Sequence, residues 1–289
     1  MEPQDVRKAG VVGAGIMGSG ITEVVARTGV ATVFVETDDE RVSRGRSAIE
    51  RSMERAVERG KLTAEERDAT LDRISGTTDL EDVVDADLVI EAATEDMPTK
   101  LGLFRRLDEL TRPDVVLASN TSSLPIVDLA MVTKRPERVL GMHFFNPPPI
   151  MRLLELVPSI RTGPETLEFA RRFGERLGKV TVLSKDRAGF IVNFLLQPYL
   201  NSAIEMLDEG FATRDDIDNA VKLGLGHPMG PFELLDLIGL DTAEYISDVL
   251  FNEFKDPLYA SPTLLKRMVS AGYLGRKSGK GFHEYEGQA

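Results

Sequence analysis

Short apolar segments alternate with amphipathic segments over roughly the first two thirds of the chain. Residues 6–12 and 32–36 are mostly apolar, which is typical of strands covered on both faces. Between them, residues 16–28 carry apolar side chains at helical spacing, with Gly29 as a helix stop. This alternation predicts an α/β fold with a doubly wound, mostly parallel sheet. Further strands are predicted at 74–76, 88–91, 115–119, 139–143, 153–157 and 180–182.

Residues 38–72 depart from this pattern because they are long, highly charged and apolar only along a narrow stripe. Val42, Ile49 and Met53 belong to that stripe. It is too thin for a helix of the core, so we predict a helix, a turn at Gly60 and a second short helix. This helical arm is expected to stand off the sheet.

The character of the chain changes again after Lys185. Residues 186–289 show helical patterns without a clear strand, and Thr213 is predicted to cap one of the helices. We therefore expect two domains. Residues 1–185 would form the sheet domain, with the arm at 38–72, and residues 186–289 would form an all-helical domain.

The composition excludes several functional classes. The 289 residues include 35 Lys and Arg against 47 Asp and Glu, a net charge of −12, so no general attraction to nucleic acid or to an anionic membrane is expected. The absence of Cys excludes a thiol nucleophile and Cys-ligated metals, and no metal site is predicted. No apolar run approaches the ~18 residues of a membrane helix. We expect a cytoplasmic protein.

A glycine-rich turn follows the first predicted strand and opens a helix. One glycine permits the tight turn, one lets the backbone approach a pyrophosphate, and one lets helix and strand pack closely. The free N–H groups of the helix N-terminus then face the phosphates. Glu36 ends the second strand, where a carboxylate binds the adenine-ribose hydroxyls and repels a 2′-phosphate, so NAD is favoured over NADP. The turn consists of Gly13, Gly15, Ile16, Met17 and Gly18.

Polar residues recur where further strands end, which is where ligands bind in open α/β sheets. His143 ends one strand and is followed closely by three prolines, and Glu155 lies among four apolar residues. A His143–Glu155 pair would be suited to general acid–base work. The alternatives are a core histidine and a carboxylate on the solvent face of a strand. Asn193 is a further candidate, which could equally be a helix-surface amide.

Five segments in order resemble the L-3-hydroxyacyl-CoA dehydrogenase family, most closely its bacterial 3-hydroxybutyryl-CoA branch. The resemblance covers nearly the whole chain. It implies a Rossmann-like domain with an arm over CoA, an all-helical domain that forms a homodimer, and reversible NAD-linked oxidation of the 3-hydroxyl of an acyl-CoA. We expect short acyl chains. The segments are the glycine turn, Ser119–Leu124, Gly141–Pro147, Gly189–Asn193 and His227–Pro231.

The resemblance also implies roles for individual residues. His143 would be the catalytic acid and base, Glu155 its orienting carboxylate, and Ser122 and Asn193 the residues that contact substrate. Ser52 and Arg59 match contacts to CoA. Matches to cofactor contacts are Glu95, Lys100, Ser122, Asn146 and Lys277, in addition to the glycine turn and Glu36.

Three positions depart from the family pattern, and two other functions remain open. Glu36 replaces the usual Asp, Arg59 stands where Lys is common, and Phe194 stands where Arg is frequent. The alternatives are a related dehydrogenase of a non-CoA hydroxy acid, of the gulonate dehydrogenase/lambda-crystallin type, and a non-catalytic NAD-binding protein.

Overall fold

The computed structural model describes residues 2–285 and divides the chain into two compact units. The N-terminal unit is Met1–Arg187 and the C-terminal unit is Ala188–Ala289. The division therefore falls two residues beyond the expected boundary at 185. Among the described residues, no helix has both the length and the apolar character needed to cross a bilayer.

An eight-stranded sheet forms the centre of the N-terminal unit, in the order β3-β2-β1-β4-β5-β6-β7-β8. Neighbouring strands are parallel, except that β6 and β7 are antiparallel. This confirms the doubly wound, mostly parallel sheet. The strands are β1 (Lys8–Val12), β2 (Ala31–Val35), β3 (Ile74–Thr77), β4 (Leu88–Glu91), β5 (Val116–Ser119), β6 (Val139–Phe144), β7 (Leu153–Pro158) and β8 (Val180–Leu183).

Six helices accompany this sheet, and the apolar strand residues supply the core that they cover. β4, β5 and β6 are buried along their whole length, as expected for strands covered on both faces. The helices are α1 (Ile16–Arg27), α2 (Asp39–Glu58), α3 (Ala64–Leu71), α4 (Met97–Leu110), α5 (Ile126–Met131) and α6 (Pro164–Arg176).

The predicted arm corresponds to α2 and α3, but the expectation that it stands off the sheet was wrong. α2 packs against α1 and β3, and its residues Ile49 and Met53 belong to the main core. Gly45 explains the close approach, because a Cβ at this position would lie 2.7 Å from the Cβ of Ala14. A narrow apolar stripe is therefore sufficient for core packing when a glycine lets the helix come near.

Threonine side chains cap two of the helices. Thr63 begins α3 with a complete capping box: its hydroxyl accepts the Glu66 N–H, and the Glu66 carboxylate accepts the Thr63 N–H. Thr213 caps the helix that follows it by accepting the Asp216 N–H, which confirms the predicted cap.

The C-terminal unit contains five α-helices between residues 192 and 270, and its last described segment forms a short 3-10 helix at Arg276–Ser278 and isolated bridges around Lys280. Its core includes Phe232, Leu235 and Leu240, which are fully buried. The expected all-helical character is thus confirmed for its main body. The helices are α7 (Val192–Asp208), α8 (Arg214–Leu225), α9 (Pro231–Ile238), α10 (Leu240–Phe254) and α11 (Thr263–Ser270).

Candidate active site

The glycine turn connects β1 to α1 and has the shape that a dinucleotide requires. Gly13 has a φ of +94°, a conformation that favours glycine. A Cβ on Gly18 would lie 1.8 Å from the carbonyl oxygen of Gly13, whereas a Cβ on Gly15 would meet nothing within 4 Å. The backbone at Gly15 therefore faces open space, next to the first N–H groups of α1. These residues fit a pyrophosphate-containing cofactor.

Glu36 follows β2 and is held by the same turn. Its carboxylate accepts the Ala14 N–H at 2.6 Å and the Thr37 N–H at 3.2 Å. A carboxylate fixed at this place supplies acceptor lone pairs and negative charge to whatever lies beside the turn. Its role in ribose binding stays a prediction.

His143 and Glu155 lie opposite each other on the antiparallel strands β6 and β7. The His143 Nδ1 is 2.7 Å from the Glu155 Oε2, Glu155 is fully buried, and His143 is 6% exposed. An ionised carboxylate only accepts hydrogen bonds, so Nδ1 carries the proton in this contact. Of the alternatives left open above, the structure favours the pair over a solvent-facing carboxylate.

Glu95 organises the loop that follows β5. Its Oε1 accepts the Thr121 hydroxyl at 2.6 Å and the Ser122 N–H at 2.8 Å. It also accepts the Ser122 hydroxyl at 3.2 Å, and both the N–H and the hydroxyl of Ser123, at 3.2 and 3.1 Å. One carboxylate oxygen thus fixes the backbone and the side chain of Ser122, beside the carboxyl ends of β4 and β5.

Asn120 and Asp186, which were not predicted as site residues, also position this region. The Asn120 Oδ1 accepts the Phe144 N–H at 2.9 Å and so ties the end of β5 to the end of β6, next to His143. The Asp186 carboxylate accepts the first two N–H groups of α5, each at 2.8 Å. Burial raises the pKa of Asp186 above its ordinary value. The position of Asn120 at a strand end was the available signal.

Lys179 holds the proline-rich turn that follows Asn146. Its ammonium group is buried and donates to the carbonyl oxygens of Pro148 and Met151. Burial lowers the pKa of Lys179, and the nearby charge of Arg27 acts in the same direction. Asn146 itself is exposed at the end of this held segment.

The predicted cofactor residues Lys100 and Lys277 and the predicted substrate residue Asn193 occupy three different surroundings. The Lys100 ammonium is buried and donates to Glu91 at 2.7 and 2.8 Å. Asn193 lies in the first turn of α7, and Lys277 forms an ion pair with Asp241 at 2.6 Å, both in the C-terminal unit. Their predicted roles stay predictions.

The predicted CoA residues Ser52 and Arg59 lie on α2 and at its C-terminal end. Ser52 is half-buried beside Glu23, a fully buried carboxylate of α1 that pairs with Arg27 at 2.6 Å. Burial raises the pKa of Glu23, while Ser52 and the Arg27 and Arg55 charges oppose that shift. Arg59 is exposed. The structure thus places Ser52 against α1 and leaves Arg59 accessible to a ligand.

The chemistry available here is proton transfer and cofactor binding. Within residues 2–285, no group of three or more His, Asp or Glu side chains is arranged to hold a metal ion. A dinucleotide turn and a buried His–carboxylate pair on one doubly wound sheet define the class of nicotinamide-dependent oxidoreductases.

Comparison with known proteins identifies the family. Residues 8–187 match the model of the 3-hydroxyacyl-CoA dehydrogenase NAD-binding domain, and residues 189–285 match that of the 3-hydroxyacyl-CoA dehydrogenase C-terminal domain. The chain therefore belongs to the 3-hydroxyacyl-CoA dehydrogenase family. The family, the NAD cofactor and the assignment as an oxidoreductase are confirmed.

Individual relatives are similar over their whole length. The chain is 52% identical over 282 residues to a 3-hydroxybutyryl-CoA dehydrogenase of Mycobacterium tuberculosis, covering 97% of this chain and 99% of that protein. The crystal structure of M. tuberculosis FadB2 has a TM-score of 0.95 at 52% identity, covering 97% and 99% of the two chains. That of (S)-3-hydroxybutyryl-CoA dehydrogenase PaaH1 from Ralstonia eutropha has a TM-score of 0.92 at 42% identity, covering 98% and 100%.

Proposed function

We propose that this protein catalyses the reversible NAD-dependent oxidation of (S)-3-hydroxyacyl-CoA to 3-ketoacyl-CoA, with His143 and Glu155 as its acid–base pair. The buried contact of 2.7 Å between the two side chains carries this proposal. The names of the relatives support a short-chain substrate, 3-hydroxybutyryl-CoA or acetoacetyl-CoA.

In this proposal His143 accepts and returns the proton of the substrate hydroxyl, and Glu155 orients its ring. With Nδ1 donating to Glu155, the Nε2 of neutral His143 carries the lone pair that accepts the hydroxyl proton during oxidation. The Glu155 carboxylate then stabilises the imidazolium and keeps the ring oriented. In reduction, the same imidazolium donates its Nε2 proton to the developing alkoxide. Bound NAD supplies the hydride acceptor for oxidation, and NADH the donor for reduction.

Ser122 orients the substrate in this proposal. Its hydroxyl is held at 3.2 Å from the Glu95 Oε1, so its position is set before a ligand arrives. A hydroxyl that is already fixed can orient the substrate carbon that gives or receives the hydride. No further conformational entropy is then lost when the substrate binds. By its match to the family, Asn193 is proposed as a second residue that contacts the substrate.

Reduction of acetoacetyl-CoA by NADH is the direct test of this function. We expect turnover with acetoacetyl-CoA and little or none with gulonate or other hydroxy acids without CoA, measured from the loss or gain of NADH absorbance. Preference for a non-CoA hydroxy acid would instead establish the related dehydrogenase. NADH binding without turnover of any substrate in the panel would identify a non-catalytic NAD-binding protein.

We expect Arg59 to hold phosphate groups of CoA. An acidic protein needs local cations to bind a polyanion, and an exposed guanidinium grips phosphate through two parallel N–H groups. Arg59→Ala should raise the KM for acetoacetyl-CoA several-fold and weaken its salt dependence. The KM for acetoacetyl-pantetheine, which lacks the nucleotide phosphates, and the KM for NADH should stay unchanged.

Arg44→Ala is the matched control for this measurement. Arg44 lies on the same helix, is also exposed, and is 3.9 Å from Glu40. It should leave both KM values unchanged. Equal effects of Arg59→Ala on acetoacetyl-CoA and on acetoacetyl-pantetheine would show that the residue is structural and that the CoA phosphates bind elsewhere.

We also propose a homodimer formed through the C-terminal unit. The apolar residues Phe232, Leu235 and Leu240 do not support this proposal, because they fill the unit's own core. Better support comes from Phe211, Leu223 and Leu225, which are 76, 86 and 66% exposed. Exposed apolar residues of this size mark interaction surfaces when they cluster. Light scattering at micromolar concentration should give twice the mass of the chain, and Leu223→Glu should lower that mass. A wild-type protein with the mass of a single chain would contradict the proposed dimer.

A further inference from the structure

A buried carboxylate that the proposed chemistry does not use lies at the carboxyl end of β4. Glu91 is fully buried and accepts the Lys100 ammonium at 2.7 and 2.8 Å. It also accepts the Ser119 hydroxyl at 2.6 Å and the Ala93 N–H at 2.8 Å. Glu91 therefore joins the ends of β4 and β5 to α4.

Lys100 connects this carboxylate to Glu95. The Lys100 side chain is 1% exposed, and its ammonium is also 3.6 Å from the Glu95 Oε2. The other oxygen of Glu95 accepts the five hydrogen bonds that hold residues 121–123. One buried cation thus lies between two carboxylates, and the shorter contact is to Glu91.

The direction of the Glu95 side chain depends on how strongly each of the two carboxylates attracts the Lys100 ammonium. A buried charge that loses its partner is strongly destabilised and takes the nearest opposite charge. Without the charge of Glu91, the Lys100 ammonium would shift toward Glu95 and draw that carboxylate away from the loop. Ser122 would then lose both of the contacts that fix its backbone and its hydroxyl.

We propose that Glu91 is a positioning residue for the reaction: by holding Lys100, it keeps Glu95 directed at the 121–123 loop and Ser122 in place. The inference rests on the function proposed above. Glu91 touches neither substrate nor reacting atoms in this role. Its effect reaches them through Lys100, Glu95 and Ser122 in turn.

Glu91→Gln removes the charge and keeps the size of the side chain. We expect kcat for acetoacetyl-CoA at saturating NADH to fall about 10- to 100-fold, since a displacement of about 1 Å at a reacting group has effects of that order. Asp108→Asn is the matched control. Asp108 is a buried carboxylate of the same unit that pairs with Arg135 at 2.8 Å, at the opposite end of α4. It should lower Tm comparably and leave kcat within about 3-fold of the wild type.

Two further variants test the mechanism of this effect. Glu91→Gln combined with Lys100→Gln removes the cation that draws Glu95 away, so kcat should recover at least about 3-fold relative to Glu91→Gln alone. If Glu91→Gln does not fold, Ser119→Ala removes the 2.6 Å hydrogen bond to Glu91 and should cause a smaller loss of kcat with little change in Tm.

Three results would overturn the inference: a Glu91→Gln enzyme with kcat within about 3-fold of the wild type, an equal loss in Asp108→Asn, or a double variant no faster than Glu91→Gln. If Ser119→Ala is the variant measured, an unchanged kcat would also overturn it. A wild-type protein that does not turn over acetoacetyl-CoA would contradict the proposed function itself. That result is separate, because it is obtained before any variant is made.

Discussion

Replacing His143 with glutamine should lower kcat for acetoacetyl-CoA reduction by at least about 10²-fold, which is within the usual range for lost general acid–base catalysis. Such a loss corresponds to about 2.7 kcal/mol of transition-state stabilisation. Glutamine retains an N–H that can donate to Glu155, but its amide does not take up and release a proton near neutral pH. The measurement is steady-state kcat at saturating NADH and acetoacetyl-CoA.

The dissociation constant for NADH, measured by fluorescence, should be unchanged in this variant. The reason is that β4 and β5 separate β6, which carries His143, from β1 and the glycine turn that follows it. His227→Gln is the control. This histidine belongs to the C-terminal unit, where its ring packs against Tyr199 at a centroid distance of 6.1 Å, and we expect normal turnover. A His143→Gln enzyme with near-normal kcat would refute the assignment of the acid–base residue.

The sheet was predictable because its strands are short, apolar and separated by helical patterns. The predicted strand ends agree with the structure to within about two residues. For β4, β5 and β6 the reason is that a segment buried on both faces must be largely apolar. The glycine turn was predictable for a related reason. Gly13 needs a positive φ and Gly18 leaves no room for a Cβ, so glycine is required at both positions and its presence in the sequence indicates the turn.

The packing of α2 was not predictable from hydrophobicity alone. Counting apolar side chains leaves out Gly45, although this residue decides how near α2 comes to the sheet. The same limit applies to residues 232–240 of the C-terminal unit. Phe232, Leu235 and Leu240 are buried in the unit's own core, whereas Leu237 is 49% exposed, and apolar character alone does not distinguish these two cases from burial against a partner.

The polar contacts of the site depend on register and loop paths that no local pattern encodes. His143 and Glu155 are twelve positions apart, and they meet because β6 and β7 pair in one particular antiparallel register. Shifting that register by one residue would place their side chains on opposite faces. The Glu91–Lys100 contact likewise depends on how the chain turns between β4 and α4. Composition and position at a strand end therefore indicate candidates, and only the fold shows which of them meet.

The negative charges beside the glycine turn should make the enzyme strongly selective for NADH over NADPH. Glu36 is fixed there by the N–H groups of Ala14 and Thr37, so its carboxylate is not free to swing away from a 2′-phosphate. The backbone N–H of Arg41 holds the pKa of Asp38 below its ordinary value, which keeps that neighbour ionised. Arg41, the nearby cation that could offset these charges, is itself paired with Asp38 at 3.3 Å.

We therefore expect kcat/KM for NADH to exceed that for NADPH by about 10² to 10³. Like charges forced together cost several kcal/mol, and each 1.4 kcal/mol is about a tenfold change. Glu36→Gln should reduce this ratio by at least about tenfold, because it removes the charge nearest to the turn. Glu40→Gln, which changes an exposed carboxylate on the first turn of α2, should leave the ratio almost unchanged. A carboxylate fixed at this place accepts hydrogen bonds from the ribose hydroxyls and repels a 2′-phosphate. Equal kcat/KM values for the two cofactors in the wild-type enzyme would therefore refute the assignment of Glu36 as the discriminating residue.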